Sequence, residues 1–454
     1  MKVLNSCFCA AGSMCVRMAS CCMILALATL TPTLAMAAES ALAFPGAQGW
    51  AAHTPGGRDG KILRVTTLKP RGPGSLREAL ETAGPRTVVF EVGGVIDLDR
   101  DTLDVKEPFL TIAGQTAPSP GITLVRGGID VRTHDVVIRH IRIRPGDAEV
   151  AHFGGWEHDG FSTYEGAVDV IVDHCSLTWA TDENLSSSGK RFIGETPDDW
   201  RNNTSHRITF SNNLIAEGLA FASHAKGEHS KGSLIHDNVN DILIIGNLYA
   251  HNFERSPLFK GGVRGMVINN LIYDPGQRAI HYNLIAEEWG DHPYQLGRLA
   301  MIGNAMRAGP STPNDVALFM LGGSGDIELY QEDNIAVDRI GRPLPILGRY
   351  TTTAAKIIEL KQRPVLPEGV KPITAVQVQD AVINGVGARP WDRDHDDARV
   401  VSDTVEGRGR IIDSQTDVGG YPHQSETHQA FVAEDWDLAT MTPRKPYSAR
   451  VRPH

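Results

Sequence analysis

One pattern recurs through the middle of the chain and limits what it can fold into. Six segments carry alternating apolar residues followed by Asn or His at one place: Val137-Ile138-Arg139-His140-Ile141, Val170-Ile171-Val172-Asp173-His174-Cys175, Ile208-Thr209-Phe210-Ser211-Asn212-Asn213-Leu214, Ile242-Leu243-Ile244-Ile245-Gly246-Asn247-Leu248, Met266-Val267-Ile268-Asn269-Asn270-Leu271 and Leu299-Ala300-Met301-Ile302-Gly303-Asn304-Ala305. Asn247 and Asn270 are 23 residues apart, and the longer intervals leave room for inserted loops. A period in the twenties with one β coil per repeat predicts an all-β, single-stranded parallel β-solenoid. A propeller would need four strands per repeat and a longer period. Asn stacked at a bend can bond the same residue in the coils above and below, satisfying turn groups that the strands leave unpaired. On this reading His174 occupies the stacked Asn position.

The flanks differ from the repeat. Gly74-Ser75-Leu76-Arg77-Glu78-Ala79-Leu80-Glu81 has the form of a capping box, with Gly84 as the stop, and predicts a short helix closing one apolar end of the solenoid. Beyond Tyr350 the pattern ends. Residues 354–361 read as helical, and 375–385 as a second short helix. Asp392, Asp394, Asp396 and Asp397 read as an acidic surface loop, because EF-hand spacing is lacking. The expected organisation is a signal peptide over 1–37, a β-helix domain over 38–345, and a C-terminal segment over 346–454 that packs back along the solenoid and caps its second end.

The signal rests on Lys2 and Arg17, the apolar run Met23–Ala28 and the small residues Ala35-Met36-Ala37. A secreted protein follows, extracellular or periplasmic. Five of the six cysteines leave with the signal, so Cys175 forms no internal disulfide and reads as a buried small apolar side chain. Removing Lys2 and Arg17 takes the net charge from −10 to −12, which argues against nucleic acid as a partner. An anionic ligand would then need a local positive patch or a bridging cation. No membrane association is expected after signal removal, and the protein is expected to act as a monomer.

Chemistry-bearing residues concentrate between Asp159 and Lys260. Coils stack at ~4.8 Å, so Asp159, Asp182, Lys231, Arg255 and Lys260 fall on or beside neighbouring coils and can share one groove. Clustered carboxylates suit calcium. Lysine and arginine suit a carboxylated ligand. For Asp159 and Asp182 both readings stand, calcium ligation and turn capping. Asp173 and His174 read as structural, His224 and His229 as loop residues near the groove.

Several motifs together resemble the pectate lyases among the family 1 polysaccharide lyases: Val172-Asp173-His174-Cys175-Ser176, Asp182-Glu183-Asn184, His229-Ser230-Lys231-Gly232-Ser233-Leu234 and Arg255-Ser256-Pro257-Leu258-Phe259-Lys260, with Phe44-Pro45-Gly46-Ala47 and the Gly74–Ala79 stretch upstream. The resemblance implies a right-handed parallel β-helix that cleaves polygalacturonate by calcium-assisted β-elimination. It implies Arg255 as the base at C5 of the uronate, Lys231 and Lys260 as cations for substrate carboxylates, and Asp159 and Asp182 as calcium ligands. Two positions depart from the family. Lys260 stands where Arg is usual and lacks the guanidinium fork. Ser186 stands where many members carry a further acid, and Glu183 is the substitute metal ligand. For Arg255 to act as a base, repulsion from Lys231, Lys260 and calcium is expected to lower its pKa. The rival functions are a glycoside hydrolase, which needs paired carboxylates around the scissile bond, and a non-catalytic carbohydrate-binding solenoid.

Overall fold

The computed structural model describes residues 41–445. The expected signal peptide, with its cleavage site and five cysteines, lies outside the described residues. Among the described residues, no helix is long and apolar enough to cross a membrane.

The chain winds as a parallel β-helix. Each coil contributes one strand to each of three sheets. The first sheet has eleven strands, from Lys61–Val65 to Ile357–Glu359; the second has nine, from Leu103–Val105 to Leu347–Arg349; the third has ten, of which Val92–Asp97 to Ile335–Val337 are parallel. Register is kept from coil to coil, so like residues stack. Ile138, Val172, Phe210, Ile244, Val267 and Met301 form one inward file of paired positions, all buried. Each such side chain contributes about 1.5–3 kcal/mol by leaving water.

The Asn ladder is continuous from Asn213 to Asn334. Nδ2 of Asn213, Asn247, Asn270 and Asn304 each donates to Oδ1 of the next Asn, at 3.0, 2.9, 3.1 and 2.9 Å. Each Oδ1 also accepts the backbone N–H of the residue one coil earlier, as in Asn213 N to Asn247 Oδ1 at 2.8 Å. The expectation for His174 is corrected here. Cys175, not His174, aligns with Asn213 and receives the ladder's first bond, Cys175 N donating to Asn213 Oδ1 at 2.8 Å. The strands fix this phase: Asp173 pairs with Ser211, so two residues on, Cys175 faces Asn213. His174 sits one place earlier, against His140 and hydrogen bonded to Asp173.

The helix at the N-terminal end, α1 (Leu76–Glu81), buries Leu76, Ala79 and Leu80 in the main core. Ser75 Oγ accepts from Glu78 N, but the Glu78 carboxylate returns to Gly74 N rather than Ser75 N, and the helix stops before Gly84. A second short helix, α2 (Pro197–Asn202), lies in the stretch inserted between Ser188 and Ser205, and a third, α3 (Ala286–Trp289), follows Leu284 of the second sheet.

The C-terminal portion differs from expectation at two points. Residues 354–361 are not helical: Ile357–Glu359 is a strand paired with Ile327–Leu329. The open edge of the first sheet offers hydrogen bonds that outweigh local helix propensity. Helix α4 (Ala375–Gly385) forms as expected, but helix α5 (His395–Glu406) takes in the supposed acidic loop. Asp394, Asp396 and Asp397 are drawn in by two buried arginines: Arg144 bonds all three, at 2.8 to 3.0 Å, and Arg142 Nε bonds Asp397 at 3.0 Å. The rest of the tail packs back along the solenoid, on sheet faces and early coils. Val378, Val382, Val400 and Val401 cover Leu214, Leu248 and Leu271, Thr427–His428 pairs antiparallel with Val92–Gly93, and Phe431 and Trp436 pack by Val89 and Ala113.

The ladder makes a stability prediction. Replacing Asn247 by Ala orphans the buried Asn213 N–H and the Phe210 carbonyl that its amide serves. Asn247→Ala is expected to cost about 3 kcal/mol of unfolding free energy, measured by denaturant titration; a loss under about 0.5 kcal/mol, the level of an ordinary surface change, would contradict the ladder's role.

Candidate active site

Parallel stacking sets the site. Glu183, Lys231 and Glu254 are bridge partners on three successive coils, and Gly160 N donates to Glu183 O at 2.9 Å, which puts Asp159 one coil earlier. The cleft beside them has a volume of about 280 Å³. Asp182, Glu183, Arg255 and Lys260 line it, while Lys231 is buried and bonds Glu254 in the wall.

Arg255 stands at the centre. Its φ of +63° places it in the left-handed region, a cost accepted where surrounding bonds overdetermine the backbone. Ser233 N donates to its carbonyl at 2.6 Å, and Ser256 N to Ala279 O at 3.1 Å. Nη1 pairs with the Glu183 carboxylate, while the buried Nε has no hydrogen-bond partner among the described residues. The side chain is 21% exposed. Burial lowers its pKa, while the carboxylates of Asp182 and Asp159 work the other way. The expected repulsion from Lys231 and Lys260 is not what lowers it, because both lysines are already paired.

Lys231 Nζ bonds Glu254 Oε1 at 2.7 Å and Glu228 Oε2 at 3.3 Å; Arg278 pairs with the other Glu254 oxygen. Burial lowers the Lys231 pKa and the Glu228 carboxylate partly restores it. Lys260 pairs with Glu288, with Asp237 Oδ2 at 3.7 Å. Motif reading missed Glu254, Arg278, Glu288, Arg191 and Tyr350, all of which line the cleft. Glu254, adjacent to Arg255, was the one with a signal in the chain itself. Arg278 and Tyr350, which stack at 4.6 Å, come from later coils and fall in no motif.

The acids also converge. Carboxylate oxygens of Asp159, Asp182 and Glu183 lie within 4.8 Å of one another. Burial, then repulsion from Asp182 and Asp130, pushes the Asp159 carboxyl well above its ordinary value. Burial also acts to raise Asp182, but its hydrogen bond with His229 at 2.7 Å, together with the charges of His229, Arg255 and His224, outweighs this and holds it low. His224 stacks on His229 at 3.7 Å, so the two expected loop histidines form a wall behind Asp182. An all-oxygen donor set with one carboxyl raised by burial and by neighbouring carboxylates fits a hard cation such as calcium, which would relieve the repulsion. Ser186 does not join this set; its Oγ accepts from Leu234 N at 3.1 Å.

Asp173 and His174 lie apart from the cleft. The Asp173 carboxylate is saturated by Arg139, His174, Ser211 and Asn212, a structural network.

No family model matches the chain. Curated relatives do. A probable pectate lyase C from Aspergillus terreus is 37% identical over 272 residues, covering 60% of this chain and 55% of that protein. Its counterpart from Emericella nidulans is 37% identical over 236 residues, 52% of this chain and 48% of its own. The chain thus spans about half the length of the curated relatives it matches. Among solved structures, the cedar-pollen allergen jun a 1 aligns with a TM-score of 0.53 at 16% identity, over 75% of this chain and 92% of that one. A pectate lyase bound to a hexasaccharide aligns at 0.51 and 15%, over 76% and 97%. The resemblance to pectate lyases read from the motifs therefore holds in sequence, and the parallel β-helix is the fold shared with these structures.

The raised Asp159 carboxyl makes a prediction with a definite sign. An acid whose folded pKa lies above its unfolded value costs stability as pH rises from the unfolded towards the folded pKa, and the full cost stands above both. Asp159→Asn is therefore expected to raise Tm in chelator at neutral to alkaline pH, with the gain fading towards pH ~3.9. Calcium is expected to raise the Tm of the parent protein, and the variant should lose that increase. A Tm gain that is equal at both ends of the pH range, or calcium stabilisation that survives, would contradict this account.

Proposed function

We propose that the protein is a secreted polysaccharide lyase that cleaves polygalacturonate by calcium-assisted β-elimination. The observation that carries this reading is one cleft lined by Arg255 and Lys260 beside the converging Asp159, Asp182 and Glu183 carboxylates, with Lys231 paired to Glu254 in its wall. The names of the curated relatives support it.

In this mechanism a uronate carboxylate is held by Lys231 and Lys260. Arg255 faces the sugar ring, and its guanidine accepts the proton from C5. The electron pair left at C5 becomes the double bond to C4 as the C4–O bond breaks, and the departing oxygen takes a proton from solvent. A calcium ion held by Asp159, Asp182 and Glu183 would supply positive charge beside the substrate carboxylate and acidify the C5 proton. The preformed carboxylate partners of each cation keep the buried charges paired before substrate arrives. Hydrolysis needs only carboxylates around the scissile bond and gives no role to Arg255, which stands in the cleft paired with Glu183.

Polygalacturonate with calcium is expected to give a rise in ultraviolet absorbance from the unsaturated product, and chelator should stop it. Arg255→Ala should lower kcat about a thousandfold. Because burial lowers the Arg255 pKa, its base form grows as pH rises, so the rate should climb from neutral into the alkaline range. No absorbance change with any uronate polymer would sink the lyase reading; a flat pH profile would make Arg255 a stabiliser of the enolate rather than the base.

A further inference from the structure

Lys260 occupies a place where a guanidinium is usual, yet a guanidinium is present beside it. Arg191, from the stretch inserted between Ser188 and Ser205, reaches into the cleft. Its Nη2 bonds Glu288 Oε2 at 2.7 Å, the same oxygen that Lys260 Nζ contacts. Its Nε bonds Asp237 Oδ2 at 2.9 Å, the oxygen 3.7 Å from Lys260 Nζ. Two cations thus converge on two carboxylates.

The two carboxylates are not equivalent. Asp237 is fully buried, and its other oxygen accepts from Gly261 N at 2.9 Å and Trp289 Nε1 at 2.7 Å. It is a fixed counterion. Glu288 is 32% exposed, sits on the four-residue α3, and among the described residues its carboxylate bonds these two cations and no other group. It is the member that can swing out to solvent. Both partners are positioned by one aromatic cluster: Phe192, next to Arg191, packs at 5.2 Å on Trp289, next to Glu288.

We infer that Arg191 and Lys260 together form a carboxylate subsite, that Arg191 supplies the planar fork Lys260 lacks, and that the Glu288 carboxylate holds the place of the uronate carboxylate until substrate displaces it. This rests on the lyase reading above. The chemistry is direct: a carboxylate bridging a guanidinium and an ammonium is exchangeable for another carboxylate of the same geometry. The exposed carboxylate is the one that leaves at least cost, because water takes over its solvation while Asp237 keeps the pair from standing uncompensated. The subsite would select de-esterified uronate, since a methyl ester offers no charge to the pair.

The test is binding and kinetics on polygalacturonate and on its methyl-esterified form. Affinity electrophoresis reads binding independently of turnover. Arg191→Ala is expected to raise KM and the apparent Kd for polygalacturonate about tenfold, with the loss in KM rather than kcat, and to leave the weak binding of methylated polymer unmoved. Glu288→Gln, which keeps shape but removes the competing charge, should lower KM several-fold. A merely structural role for Arg191 would weaken binding of both polymers alike, and that result overturns the inference. So does weaker binding by Glu288→Gln. Parent enzyme that binds polygalacturonate but yields no unsaturated product sinks only the lyase reading, and the shifts in Kd still decide the role of Arg191.

Discussion

The structure depends on one constraint: parallel coils kept in register, so that each backbone group bonds the same place in the next turn. Strand pairing alone does not secure this, because a parallel ladder can slip. The Asn213–Asn334 ladder pins it at the bend between the first and third sheets, where each amide bonds both its neighbour's side chain and a backbone carbonyl. A slipped coil would orphan several buried polar groups at once, and that penalty makes the register specific. The inward apolar file supplies the bulk of the stabilisation but would tolerate more variation.

Register also builds the cleft. Glu183, Lys231 and Glu254 are far apart in the chain yet sit one coil spacing from one another. At such spacing unlike charges must alternate or pair. Each principal cation has a protein carboxylate: Arg255 has Glu183, Lys231 has Glu254, Lys260 has Glu288. Under the proposed function, this pairing reconciles an acidic protein with an acidic polymer. The cleft is not a bare positive patch. It is a set of paired charges in which, under the proposed function, a substrate carboxylate takes over from an internal one, and the surplus acids at Asp159 and Asp182 suit a cation.

A second charge network ties the tail down. Arg142 and Arg144 are fully buried on the third sheet, where their charges could not persist alone. Asp394, Asp396 and Asp397 at the start of α5 neutralise them, and Trp179 lies 5.1 Å from the Arg144 guanidinium. Breaking such a pair costs more than it gained in forming, so the network fixes where the tail docks rather than how strongly the coils hold.

Much of this was legible in the chain. The Asn and apolar spacing determined the parallel β-helix, because stacked coils demand like residues at like places, and the motif residues around Asp182, Lys231, Arg255 and Lys260 marked the cleft. What escaped had a common cause. The phase of the ladder, Cys175 rather than His174, is set by pairing with the next coil. The strand at Ile357–Glu359 exists because an open sheet edge was waiting for it. Arg191, Glu288, Arg278 and Tyr350 come from an insertion and from later coils, and no local pattern marks them. The source of Arg255's lowered pKa was legible only once the lysines were seen paired and the guanidinium buried. The sequence by itself determined the repeating unit and the residue types able to do chemistry, since both are local properties. Only the tertiary structure decided which charges face each other, since electrostatic partners are chosen by distance in space, and the coils bring together residues that the chain keeps far apart.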